Sequence, residues 1–256
     1  MDKKIISLLM LMICSSAFIM AQDDSGEKKV KLKLSGDLVS SYIFRGVLAT
    51  PTPSPNFQPT LAAVAGNLEV GTWGSTDFIG SYREVDLYAT YTAGPIAITA
   101  TDYFFSNQGP NFLTIPGPRY FTYGKETTGH IVEAALTYTG PESFPLSVFV
   151  GTFLYGNDKK FNTDSAAFDV KKNNYSTYIE LSYLWKGSIK TFIGATPWNG
   201  YYGAGYGVVK GFGIVNLGVS ATRTIEITEK FSLPVKASFY CNPQAEQVHL
   251  VLGVTL

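Results

Sequence analysis

Charge is scarce in this chain. Asp, Glu, Lys and Arg make up 16% of its 256 residues, where globular domains use about a quarter. The two signs balance at 20 each, which argues against a nucleic-acid partner, since that wants a basic face. Histidine is scarcer still, with only His130 and His249. Neither has a neighbouring Ser or acid motif that would define a nucleophile and its base. No glycine-elbow serine, P-loop or His/Cys metal spacing is present. These absences leave no catalytic residue, no metal ligand set and no cofactor to name, and they argue against an enzyme. Cysteine is limited to Cys14 and Cys241. Beyond the first twenty residues, no apolar run approaches the roughly twenty that a spanning helix requires.

The first residues form a separate unit. Met1-Asp2-Lys3-Lys4 precedes an apolar run from Ile5 to Met20, broken by Ser7, Cys14, Ser15 and Ser16. Small residues follow at Ala17 and Ala21. A charged start, a short apolar core and small residues at its end read as a secretory signal peptide. Ile13 stands where a lipid-attachment signal needs a small residue, so Cys14 reads as part of the discarded core. Only Cys241 would then remain, which excludes an intrachain disulfide. The expected division is a signal peptide over 1–21, a loose polar N-terminus over 22–29 and one folded body over 30–256.

What the chain does have is aromatic rings, 17 Phe and 16 Tyr, together with 25 Gly. It also has alternation. In Val30–Gly46, Val30, Leu32, Leu34, Leu38, Tyr42 and Phe44 share one parity. Lys31, Lys33, Ser35, Asp37, Ser41 and Arg45 take the other, with Val39 and Ile43 as exceptions. A period of two marks a strand with one apolar and one polar face. At about fifteen residues it exceeds the usual globular strand of about five or six and suffices to cross a bilayer, which takes about nine to eleven. Similar segments follow at 57–65, 68–75, 82–91, 96–105, 130–139, 146–155, 175–185, 189–195, 212–223, 233–240 and 248–256. Pro51, Pro53 and Pro55 make 47–56 a loop. Gly66-Asn67, Ala93-Gly94-Pro95 and Lys186-Gly187-Ser188 mark tight turns.

The sum is an all-β chain of about twelve strands, and its connections alternate in length. Those after strands one, three, five, seven and nine are long or irregular. Those after two, four, six and eight are short, while the stretch around 224–231 after strand ten is longer than the pattern wants. A single antiparallel transmembrane barrel predicts this, with short periplasmic turns and longer extracellular loops. A soluble sandwich has no reason to sort its loops so. The polar parity carries isolated charges among apolar neighbours, which would each cost up to about 2–4 kcal/mol in lipid but little in a lumen.

The order of short motifs resembles the TorF-type porin family of bacterial outer-membrane barrels. The residues are Ser41-Tyr42-Ile43-Phe44-Arg45-Gly46, Pro55-Asn56-Phe57-Gln58-Pro59, Gly71-Thr72-Trp73-Gly74-Ser75 and Glu84-Val85-Asp86-Leu87-Tyr88. Glu133 and Glu180 sit in later strands that resemble the family more weakly, and the likeness is concentrated in Leu38–Tyr91. It implies a Gram-negative outer-membrane location, a membrane-lipid environment, delivery by the barrel-assembly machinery and passage of small solutes. Leu256 departs from the aromatic C-terminus of many such barrels.

Arg45, Glu84, Asp86, Glu133, Glu180 and Lys236 are the expected lumenal charge network. Unpaired buried charge is expensive, so the network either braces the barrel or selects solutes as charged rings do in pores. Trp198, Tyr201, Tyr202 and Tyr206 lie in a glycine-rich loop over 196–211 and could stack sugar rings or form an aromatic girdle. The resulting expectation is a narrow, charge-lined channel for small solutes. A plugged barrel serving as surface anchor or binding protein, and a soluble lipocalin-like β-protein, stand as alternatives.

Overall fold

The computed structural model describes residues 30–105, 118–162, 164–165, 167–202, 211–229 and 231–256. Its strands in chain order are β1 (Lys31–Val39), β2 (Ile43–Phe44), β3 (Val47–Leu48), β4 (Asn56–Ala65), β5 (Leu68–Asp77), β6 (Arg83–Ala93), β7 (Ile96–Phe105) and β8 (His130–Thr139). They continue with β9 (Leu146–Gly156), β10 (Lys159–Asn162), β11 (Ala167–Asn173), β12 (Thr177–Trp185), β13 (Ile189–Thr196), β14 (Gly213–Thr228), β15 (Phe231–Asn242) and β16 (Gln247–Thr255). Twelve of them close into one barrel, in the order β1-β16-β15-β14-β13-β12-β9-β8-β7-β6-β5-β4, and every pairing is antiparallel. β2–β3 and β10–β11 form two small separate hairpins whose strands are not part of that wall. The expected all-β, twelve-stranded antiparallel barrel is the observed fold. The expected signal peptide and loose N-terminus lie outside the described residues.

Alternation sets the two faces. Leu32 and Leu34 are 77% and 81% exposed, and Leu61, Val85, Ile98, Leu136, Leu181, Ile193, Phe239 and Leu250 point outward on other strands. The interior takes the opposite parity, where Gln58, Glu84, Asp86, Glu133, Ser182, Ser220 and Ser238 are buried. Among the described residues, buried polar side chains outnumber buried apolar ones. A water-soluble domain has the reverse arrangement. Exposed rings mark both ends of the barrel. Tyr91, Tyr138, Phe144 and Trp185 lie at the near end, where β1 starts and β16 finishes; Phe78, Tyr175, Trp198 and Phe212 lie at the far end.

Two boundaries differ from the sequence expectation. The first strand stops at Val39 instead of running to Gly46. Ser40 closes it off, donating its N–H to the Leu252 carbonyl at 2.8 Å and accepting the Leu252 N–H on its hydroxyl at 3.0 Å. The chain then turns into the barrel, and Ile43–Leu48 folds as a two-residue hairpin inside it. Arg45 and Gly46 form its turn with φ of 52° and 85°, the left-handed pair that such a hairpin demands. At the other site, β14 and β15 simply continue to Thr228 and from Phe231. The apparent long connection is therefore strand over most of its length, on a ribbon that outruns its neighbours, since β13 pairs only as far as Ala221 and β16 only from Val235.

The wall is uneven at its closing seam. β1 and β16 share three register pairs, Asp37 to Val39 against Thr255 to Gly253, while β1 and β4 share nine.

Candidate functional site

The far half of the barrel interior is filled. Tyr82, Tyr103, Phe105, Ile131, Phe153, Tyr178, Tyr201, Tyr202 and Val215 form a buried cluster with Ala49, and Tyr42, Phe44 and Phe149 pack against it. The β2–β3 hairpin supplies Phe44, whose ring lies 5.9 Å from Tyr103 and 6.0 Å from Tyr201. Its turn is pressed on the wall. A Cβ on Gly46 would run into the Val215 carbonyl and reach Asn216 at 3.0 Å, and the Asn242 amide donates to the Gly46 carbonyl at 3.0 Å.

Arg45 hangs from that turn at the centre of the lumen. Its guanidinium holds Glu133 with two hydrogen bonds, at 2.5 and 2.8 Å, and donates a third to the Tyr202 hydroxyl at 2.6 Å. Tyr103 donates to the same carboxylate at 2.9 Å. The cation also lies 4.7 Å from the ring centres of Phe44 and Phe149 and 5.3 Å from Tyr178. Forked pairing with a carboxylate and stacking on rings are what distinguish arginine from lysine. Gly151 gives Glu133 room, because a Cβ there would meet the carboxylate. Burial pushes the phenols of Tyr42, Tyr201 and Tyr202 above the ordinary tyrosine value, so they stay neutral.

The other charges sit apart from this pair. Glu84 and Asp86 are buried two residues apart on β6. Tyr82 donates to Glu84 at 2.6 Å, and the Asp86 Oδ1 has no hydrogen-bond partner among the described residues. The structure thus places Arg45 on Glu133 and not on these two acids, since the hairpin carries the guanidinium to β8. Glu180 accepts from Lys190 at 3.0 Å and from Tyr178 at 2.6 Å. Lys236 forms no ion pair among the described residues and lines a small cavity of about 210 Å³ with Asp37, Ser41, Tyr42, Gln58 and Tyr240. Beneath Arg45 a larger cavity of about 510 Å³ is lined by Thr137, Ser147, Phe149, Tyr178, Glu180 and Lys190. The near half of the barrel is therefore a polar vestibule and Arg45 is part of its ceiling.

The loop aromatics divide. Tyr201 and Tyr202 are 3% and 0% exposed and belong to the plug, so neither faces solvent or the outer belt as the sequence expectation had them. Trp198 is exposed at the far rim. Tyr206 lies outside the described residues.

Sequence reasoning missed one polar centre. Asp102 and His130 occupy the parity opposite to lumen-facing Tyr103 and Ile131. The His130 Nδ1 is 2.9 Å from the Asp102 carboxylate and its Nε2 is 2.5 Å from the Tyr120 carbonyl. Tyr123 donates to Asp102 at 2.9 Å and stacks on the imidazole at 4.1 Å. The pair clamps the loop around 118–129 against the wall. An acid on the apolar parity of its strand was the available signal.

The fold and its interior thus define a closed antiparallel barrel, apolar without and polar within, blocked in its far half by its own chain. No family model matches the sequence, and no curated protein does. Among solved structures the chain is similar to the KdgM porin, with 8% identity and a TM-score of 0.43 over 87% of this chain and 96% of that one. It is also similar to OmpF, in the structure titled "Salmonella typhi OmpF complex with Daunomycin", with 8% identity and a TM-score of 0.36 over 88% and 97%.

Proposed function

We propose that this chain is an outer-membrane channel of porin type, closed at its waist by the Arg45 hairpin in the form described here. The supporting observation is the inverted polarity: a belt of exposed Leu, Ile, Val and Phe surrounds a closed wall whose interior holds paired charges. In lipid, closure satisfies the backbone of every paired strand, and the apolar belt has its matching solvent. The near end is then periplasmic and the far end external. Small hydrophilic solutes cross when the hairpin withdraws from between β8 and β14, joining the vestibule beneath Arg45 to the outside. The Ser41–Gly46 motif, one of those that carry the TorF-type likeness, leads into and turns this hairpin.

Reconstituted protein in a planar bilayer tests this. Discrete conductance steps are expected, infrequent in the native chain because the plug is packed. A folded barrel that stays electrically silent, even with residues 41–50 deleted, would refute the channel. The second reading, a permanently plugged anchor, draws on the aromatic packing around Phe44 and predicts a native chain that never conducts beside a 41–50 deletion that does.

A further inference from the structure

At the far end, beside the barrel mouth, three loops enclose a cavity of about 620 Å³ whose lining is basic and aromatic. Lys125 comes from the loop after β7, Lys160, Lys171 and Lys172 from the β10–β11 hairpin, and Tyr175 and Trp198 from the segments flanking β12 and β13. We propose that this cavity binds an anionic saccharide from the external medium, the lysines taking its charged groups and the indole of Trp198 one sugar face. The assignment does not depend on whether the barrel conducts.

Charge supports it first. Lys172 is 3.3 Å from Asp169, but Lys125, Lys160 and Lys171 have no ion-pair partner among the described residues. The neighbouring acid Asp158 directs both carboxylate oxygens at Ser176, accepting from its N–H at 2.7 Å and its hydroxyl at 2.6 Å. The lining holds four lysines and no carboxylate, and Asp169, opposite Lys160 in the hairpin and beside Lys172, offsets only part of that charge. Three lysines without an ion-pair partner facing one cavity repel one another, and an anion relieves that.

The framework is also fixed in advance. Lys159 is buried under the site and donates to the Lys125 carbonyl at 2.6 Å, which ties the first loop to the hairpin. The Asn174 amide donates to the Asn199 carbonyl at 2.9 Å, which ties the hairpin to the third loop. Tyr175 holds φ of 57°, a left-handed conformation that a bulky residue rarely adopts and that concentrates at functional sites. It points its carbonyl at the Trp198 indole N–H, 3.1 Å away, and Trp198 is held again where the Thr196 hydroxyl donates to its carbonyl at 2.9 Å. With its N–H occupied and its side chain exposed, the indole offers a face more than a donor. An aromatic face beside lysines suits a ring that bears charge better than a bare ion.

The test is calorimetric titration of the purified full-length barrel in detergent, folding being checked by heat-dependent gel migration. The probe is a short sulfated dextran, with neutral dextran of equal length beside it. Sulfated dextran should bind, weakening as salt rises, and neutral dextran should show no measurable heat. The double variant Lys160→Gln/Lys171→Gln and the single variant Trp198→Ala should each lose about tenfold or more in affinity, while Lys186→Gln at the opposite end should bind like the native chain. Equal binding of both dextrans, native affinity in the lysine variant, or displacement of the probe by an equal concentration of inorganic sulfate would each overturn the proposal. Exclusion of the probe by lipopolysaccharide in a nanodisc would also overturn it, by assigning the cavity to the membrane's own lipid.

Discussion

Replacing Arg45 with alanine should free the plug while leaving the wall intact. In the native chain the guanidinium and Glu133 share two hydrogen bonds, and Glu133 is 2% exposed. Removing one member of such a buried pair costs about 3–5 kcal/mol, because the other charge stays behind unpaired. Among the described residues Glu133 would keep only the Tyr103 hydroxyl, and the contacts of the cation with Phe44 and Phe149 would also go. The wall does not depend on Arg45, which belongs to no barrel strand. The cost therefore falls on the equilibrium between seated and withdrawn hairpin. At about 1.4 kcal/mol per decade, the withdrawn fraction rises by roughly two to three and a half powers of ten. Single-channel recording reads this as time spent in the conducting level. The double variant Arg45→Ala/Glu133→Ala should be less open than Arg45→Ala alone, since no orphaned carboxylate then drives the hairpin out. Open time equal to the native chain in a well-folded Arg45→Ala protein would refute the reasoning. So would loss of the heat-stable barrel band, which would mean that the pair braces the wall.

Gly46→Val should open the channel in the same direction, because its φ of 85° and the Val215 carbonyl both exclude a branched side chain; native closure in that variant would remove the hairpin from the gating scheme. Leu34→Arg on the outward face should destabilise the barrel by up to about 2–4 kcal/mol, falling toward zero near an interface, in reversible unfolding from lipid vesicles. An unchanged midpoint would contradict the lipid-facing assignment. Asp158→Asn weakens both bonds to Ser176 and should expose residues 157–175 to protease while the barrel band persists on gels. Resistance equal to the native chain would show that Asp158 does not anchor the hairpin.

All twelve barrel strands were legible because one side chain in two meets a different medium, and that constraint writes a period of two into each of them. The same rule hid the plug. Tyr42 and Phe44 keep the parity of Leu38, since a hairpin buried in the lumen also alternates, so strand and plug ran together as one segment. The Arg45-Gly46 dipeptide held the signal in principle, yet a left-handed arginine is paid for by contacts distant in sequence. At 224–231 the error was opposite. Arg223 and Glu226 interrupt the alternation, although a ribbon that outruns its neighbours tolerates charge on either face. The charged residues of the interior could be named but their partners could not, because Glu84, Asp86, Glu133 and Glu180 all lie on inward parities. Which one Arg45 meets is decided by how deeply the hairpin enters.

The short joint between first and last strands has a mechanical consequence. With three register pairs there against nine on the other side of β1, this is where the cylinder would part under heat or sideways load. It is also the joint that must form last if the staves are laid down in chain order, so insertion and unzipping would share one line. A crosslink from β1 to β16, as between cysteines at Leu38 and Val254, would then lock both processes together.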